Sequence, residues 1–194
     1  MNEHAPFLAA ILADPGDPGP RRVFADWLEE RGDRRGAWLR LAVEPPKPAG
    51  FVVRRRDAIR ELENRPAGPS LLRLLACWCA RLTPLSDGRI VWELLVNRHS
   101  REAVAVAELF ACGLTDRDHL GDARDRAQHA ARAVPASPRL GAAAVGAQFT
   151  THPDPATAAA NVLALAWGIV GNADSLWQDR LLAGLLRFEA PLLP

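Results

Sequence analysis

Apolar residues return along this chain at helical spacing rather than in strict alternation. Phe7, Leu8, Ile11 and Leu12 fall on one stripe and predict a short helix over 7–13. Asp14-Pro15-Gly16-Asp17-Pro18-Gly19 must end it, because proline lacks an amide donor and glycine adds backbone freedom. Pro20 suits a first helical turn, Val23, Phe24, Trp27 and Leu28 form the stripe of a helix over 21–31, and Gly32 is placed to cap its C-terminus. Asp33 is placed to cap a third helix through Trp38, Leu39 and Leu41 to Val43, where Pro45, Pro46 and Pro48 stop it.

Beyond this point the pattern changes. Residues 45–50 read as a linker or corner and 52–64 as a polar helix with Val52, Ile59 and Leu62 as its stripe. Pro66-Ala67-Gly68-Pro69 is the best internal boundary, and Ser70 is a candidate N-cap for a helix over 71–82. Leucines and Trp78 cover more than half of that helix, which places it at the centre of a core. Residues 90–96 are apolar and of ambiguous type. Ser100 is expected to cap a helix ended by Gly113, and Thr115 with Asp118 has capping-box spacing before a peripheral helix over 116–134. Residues 135–155 look irregular, and 156–170 and 173–188 read as two helices separated by Gly171 and Asn172. The expected fold is therefore all-α: a helical module over 1–44, a linker and polar helix over 45–69, and an irregular helical bundle over 70–194.

Composition agrees. Hydrophobic residues make up 48% and charged residues 24%, so the chain has the means to build a core; six Trp, no Tyr and abundant Ala and Leu favour helices. The formal charge of +1, from 24 basic and 23 acidic residues, supplies no field for nucleic acid or anionic lipid. Arg54-Arg55-Arg56 is too short a basic run to change that, with Asp57, Glu61 and Glu63 alongside. The charge-poor run over 155–171 is shorter than the ~20 residues of a membrane span and carries Asn161. Met1-Asn2-Glu3-His4 places no basic segment before the first apolar stretch, which predicts no secretory signal and a cytoplasmic location.

Known chemistries find little support. Cys77 and Cys79, two apart on a helix, point about 200° away from each other and cannot share one metal ion; with Cys112 they read as buried packing residues. His4, His99, His119, His129 and His152 are scattered, and no phosphate loop, dinucleotide fingerprint or serine elbow occurs. No metal or cofactor is expected. The densest carboxylate group is Asp26, Glu29, Glu30 and Asp33, which calls for cationic partners: Arg22 for Asp26, and Arg34 or Arg35 for Glu30 or Asp33.

The run Arg21-Arg22-Val23-Phe24-Ala25-Asp26-Trp27-Leu28-Glu29-Glu30-Arg31-Gly32-Asp33, after Phe7-Leu8-Ala9-Ala10-Ile11-Leu12, resembles the repeat-companion domain of planctomycetes and myxobacteria. The resemblance covers residues 5–43, with Gly36, Leu39, Arg40 and Leu41 extending it. Ala37 and Ala42 depart from it, where an acidic residue and Gln are usual. Residues 72–108, through Cys77-Trp78-Cys79, Ile90-Val91-Trp92-Glu93 and Ser100-Arg101-Glu102, are similar to a second, Ala-rich helical planctomycete family. The first resemblance implies a folding module that accompanies repeats, and neither implies a reaction.

These readings converge on a non-catalytic helical accessory or adaptor protein that binds another protein. The candidate partner face is Asp33, Arg34, Arg35 and Trp38, and Phe24, Trp27, Leu28 and Gly32 are assigned to the structure of the N-terminal module. The alternatives are an enzyme using the Asp26–Asp33 carboxylates, or a small structural domain.

Overall fold

The computed structural model describes residues 3–170 and 176–190; the expectations that fall on residues 1–2, on Gly171, Asn172 and the rest of 171–175, and on 191–194 lie outside them. Among the described residues the chain is all-α, with ten α-helices and no strand. They are α1 (Ala5–Ala13), α2 (Gly19–Glu29), α3 (Arg35–Val43), α4 (Arg55–Glu63), α5 (Gly68–Leu82), α6 (Arg98–Ala111), α7 (Arg117–Arg132), α8 (Pro138–Thr150), α9 (Pro155–Val170) and α10 (Leu176–Leu186). A short 3-10 helix, Val91–Leu94, lies between α5 and α6.

The leucine-rich helix α5 is the hub. Residues 71–80 are all buried, because α9, α6, α8 and α4 pack around it. Trp78 buries its ring there and donates its indole N–H to the Ala42 carbonyl at 2.9 Å, which satisfies an open carbonyl in the last turn of α3. One hydrophobic core thus runs from Ile11 in α1 to Leu185 in α10. The linker after α3 is pinned as well, since Ala49 donates its amide to the Arg180 carbonyl at 2.8 Å.

In the N-terminal module, Phe24 and Leu28 are fully buried and Trp27 is half-buried. Phe7 of α1 stacks on Phe24, centroids 4.7 Å apart, and meets Trp27 at 5.3 Å, so the aromatic residues join the first two helices. Val23, expected on the same stripe, is 59% exposed: it starts the stripe one step too far round the helix. Gly32 has φ of 69°; the Asp33 amide reaches the Leu28 carbonyl at 2.9 Å and the Gly32 amide that of Glu29 at 2.9 Å, a Schellman closure that a side chain would strain. Gly36 lets α3 cross α2 closely, because a Cβ there would lie 2.7 Å from the Ala25 carbonyl oxygen.

Several ends differ from expectation. Asn97, not Ser100, caps α6, accepting the His99 amide at 2.8 Å; Ser100 lies inside the helix, buried, its hydroxyl without a partner among the described residues. Asp116, not Thr115, caps α7 through the His119 amide at 2.9 Å. Helix α5 begins at Gly68 with Pro69 in its first turn, which draws Ser70 into the helix. The largest correction is α8, in a stretch expected to be irregular. Its Ala- and Gly-rich sequence has no bulky stripe, yet Ser137 and Pro138 provide a start, and small residues let it lie close against α9. No helix among the described residues is long and apolar enough to cross a membrane.

Candidate functional site

Asp33, Arg34 and Arg35 stand where α2 turns into α3. The Asp33 carboxylate accepts the Arg35 amide at 2.9 Å and both Nε (2.9 Å) and Nη2 (2.5 Å) of its guanidinium. The hydrogen bonds from Arg35 hold the Asp33 carboxyl below the usual carboxylate range, and Asp33 in return raises Arg35. Arg35 also extends Nη1 towards the Gly113 carbonyl at 3.5 Å, setting the start of α3 beside the end of α6. Arg34 is exposed. Trp38, placed with these residues from the sequence, belongs elsewhere: it is fully buried in the core, because helical geometry turns position 38 inward with Leu39 and Leu41. It presents no surface to a partner.

The Asp33–Arg35 corner opens into a groove. Two adjoining hollows, of about 640 and 380 Å³, share Ser70, Phe110 and Ala111 on their walls. The first is lined by Asp33, Arg34 and Arg35, the second by Arg73, Arg117 and Arg124, so five guanidinium groups meet one carboxylate, and that carboxylate is already engaged. Phe110 and Leu120 supply an apolar floor. Arg73 is 2% exposed and ends in three carbonyls, Thr150 at 2.7 Å, His152 at 2.8 Å and Pro153 at 3.2 Å, closing the C-terminus of α8. Burial lowers its pKa, opposed by the neighbouring Cys77 and Asp154. No local pattern joins Arg73, Phe110 and Arg117 to Asp33, since helix packing alone brings them together. The local signal was Arg117 and Arg124, seven apart and hence on one helical face with Leu120 and Gly121.

The Asp26–Asp33 carboxylates form no shared cleft. Asp26 and Glu29 are both bound by Arg40 of α3, at 2.6 and 2.7 Å, while Arg22, the expected partner of Asp26, pairs with Glu44 at 3.2 Å. The three cysteines are buried and free, and burial pushes all three thiols upward, Cys79 to about 12, which disfavours the thiolate near neutrality. No cluster of three or more metal-ligating side chains occurs among the described residues.

A second polar centre went unseen in the sequence. Glu108 of α6, 1% exposed, receives Arg21 of α2 at 3.0 Å and both Nε and Nη2 of Arg81 from α5, Nη2 at 3.0 Å. Arg21 is 3% exposed and also donates to the Asp17 and Pro15 carbonyls at 3.0 and 3.1 Å, fastening the loop between α1 and α2. The Arg81 guanidinium lies 4.0 Å from the ring centroid of Trp92.

No protein-family model matches the chain, and no curated protein or solved structure shows significant similarity to it.

Proposed function

We propose that this chain is a non-catalytic helical binding protein whose groove between α3, α5, α6 and α7 takes an acidic segment of another protein. The observation that carries this reading is the composition of the groove: Arg34, Arg35, Arg117 and Arg124 around the Phe110 and Leu120 floor, with Asp33 as the one carboxylate in the lining. Guanidinium groups match carboxylates geometrically, and an apolar floor with a charged rim is the usual anatomy of a protein-recognition patch. A hollow of about 640 Å³ that runs on into a second of about 380 Å³ favours an extended chain over a small substrate. The resemblance of residues 5–43 to a module that accompanies repeats supports the same role, and the binding of Asp26 and Glu29 by Arg40 weakens the alternative of a carboxylate enzyme.

The test is fluorescence anisotropy with a labelled peptide of alternating Glu and Leu residues, against wild type and the Arg34→Glu, Arg117→Glu double variant. Both positions are exposed, so the variant should fold. Saturable, salt-sensitive binding that falls by roughly tenfold or more in the variant is expected. Absence of binding to wild type, or equal binding by both, would refute the reading.

A further inference from the structure

Independently of the groove, the Arg21–Glu108–Arg81 centre forms one wall of a separate cavity of about 210 Å³, lined also by Gly16, Val43, Ile90 and Trp92. We infer that this cavity is a binding site for a small organic carboxylate, held by Arg81 and the indole N–H of Trp92 against an apolar wall.

The first argument is charge. Two guanidinium groups share a single carboxylate at a site where Glu108 and Arg21 are almost wholly buried and Arg81 is 13% exposed. A buried ion is tolerated when it is paired, and here one positive charge is left over. The other lining cation, Arg22 at the mouth, is already paired with Glu44, so it neither supplies nor uses up that excess.

The second argument is donors. Arg21 commits Nε, Nη1 and Nη2 to Glu108, Asp17 and Pro15. Arg81 commits only Nε and Nη2, and its Nη1 donates to no acceptor among the described residues. The Trp92 Nε1 likewise has no acceptor there, and a Cβ on Gly16 would lie 3.2 Å from it, so the glycine keeps that N–H uncrowded. The Arg81 guanidinium lies 4.0 Å and that of Arg101 5.5 Å from the Trp92 ring centroid, the latter tied to the Leu95 carbonyl at 2.7 Å. The cavity thus presents one charged and one neutral donor on rigid supports, which suits an anion.

The third argument is size and polarity. At ~30 Å³ per water the volume holds about seven waters, below the ~300 Å³ where pockets for larger ligands begin. Val43, Ile90 and the Trp92 ring make the remaining wall apolar. A compact apolar body carrying one carboxylate fills such a space, whereas inorganic phosphate would leave the apolar wall uncovered.

The test uses the full chain labelled with ¹⁵N at tryptophan, whose six indoles give separable resonances, that of Trp92 assigned with Trp92→Phe. Benzoate is titrated in parallel with benzamide, its neutral counterpart, and with inorganic phosphate. The expected result is a saturable shift of the Trp92 indole by benzoate, with a midpoint roughly tenfold or more below those of benzamide and phosphate. Arg81→Gln should abolish the preference for benzoate over benzamide. Should that variant fail to fold, Val43→Trp, at a half-buried position on the wall, should block the shift by filling the space. No shift with benzoate overturns the assignment, as does equal response to benzamide, which would mark a purely apolar void. A midpoint for phosphate matching that for benzoate overturns it too, marking an unselective anion site, and so does a benzoate shift that persists unchanged in both variants.

Discussion

Arg40 on α3 reaches back to Glu29 on α2 with two hydrogen bonds, 3.1 Å from Nε and 2.7 Å from Nη2, and takes Asp26 with the same Nη2 at 2.6 Å. Asp26 and Glu29, like charges three apart on one helical face, are therefore tolerated through a cation supplied by the neighbouring helix. The arrangement raises the Arg40 pKa through the hydrogen bonds it donates to Glu29 and then to Asp26. All three side chains remain substantially exposed, so water screens the pairing.

The carboxylates' role in the fold can be tested by neutralising them. Asp26→Asn and Glu29→Gln, singly or together, should lower stability by about 0.5 kcal/mol each or less, as exposed ion pairs do. Peptide binding in the groove should be unchanged. Urea denaturation with anisotropy on the same variants checks both, and a large loss of binding at unchanged stability would return these residues to a functional role.

Glu108 should behave oppositely. It is the shared acceptor for Arg21 and Arg81, and Glu108→Gln leaves two guanidinium groups facing each other in a desolvated site. Removing one partner of a buried pair typically costs ~3–5 kcal/mol. Thermal and urea unfolding should both show a loss of that order, and a change below about 1 kcal/mol would mean that water reaches the site freely.

Asp33 gives a pH-dependent signature. Its carboxyl lies below the ordinary value of 3.8, chiefly through the side-chain hydrogen bonds of Arg35. A depressed folded-state pKa contributes stability that is present above the unfolded value and is lost as pH falls through the folded one. Asp33→Asn, which keeps a capping oxygen but removes the charge, should cost on the order of 1 kcal/mol near neutrality, with the difference from wild type shrinking as pH falls below the ordinary carboxyl value of 3.8 and vanishing once the folded-state carboxyl is protonated too. Denaturation midpoints across that range measure it, and a deficit that persists unchanged in acid would assign the effect to geometry instead of charge.

What was legible in the sequence was what local spacing encodes. The stripe through Leu71, Leu75, Trp78 and Leu82 identified α5 as central, and Gly32 was recognisable as a helix stop, since each depends on neighbours three or four residues away. Helix α8 was hidden because its packing uses Ala143, Ala144, Gly146 and Ala147, small residues that make no apolar stripe and matter only once α9 lies against them. The candidate site was half legible. Asp33, Arg34 and Arg35 marked a charged corner, but the opposite wall comes from Arg73, Phe110 and Arg117, up to 84 residues away in sequence and joined to it by tertiary packing alone. No one-dimensional pattern announces that Arg21 and Arg81 share Glu108.

Trp27 and Trp38 illustrate the difference and supply a final prediction. Both lie within residues 1–44, and the sequence assigned one to the fold and the other to a partner face. Trp38 is fully buried beside Leu39, so Trp38→Ala deletes a large side chain from the core and should cost the ~3–5 kcal/mol typical of buried aromatic truncation. Trp27 is half-buried, packed on Phe7 at 5.3 Å with the Arg31 guanidinium 3.8 Å from the ring centroid, so its outer face is covered by a solvent-facing cation. Less apolar area leaves water-inaccessible surroundings when Trp27 is truncated, and Trp27→Ala should cost about 2 kcal/mol, including ~0.5–1 kcal/mol from the cation–π contact. Urea titrations of the two variants should therefore rank Trp38→Ala as the more destabilised. The reverse order would place the mechanical centre of the module at the junction of α1 and α2, not where α3 meets α5, and would make the stacked Phe7 and Phe24 its principal support.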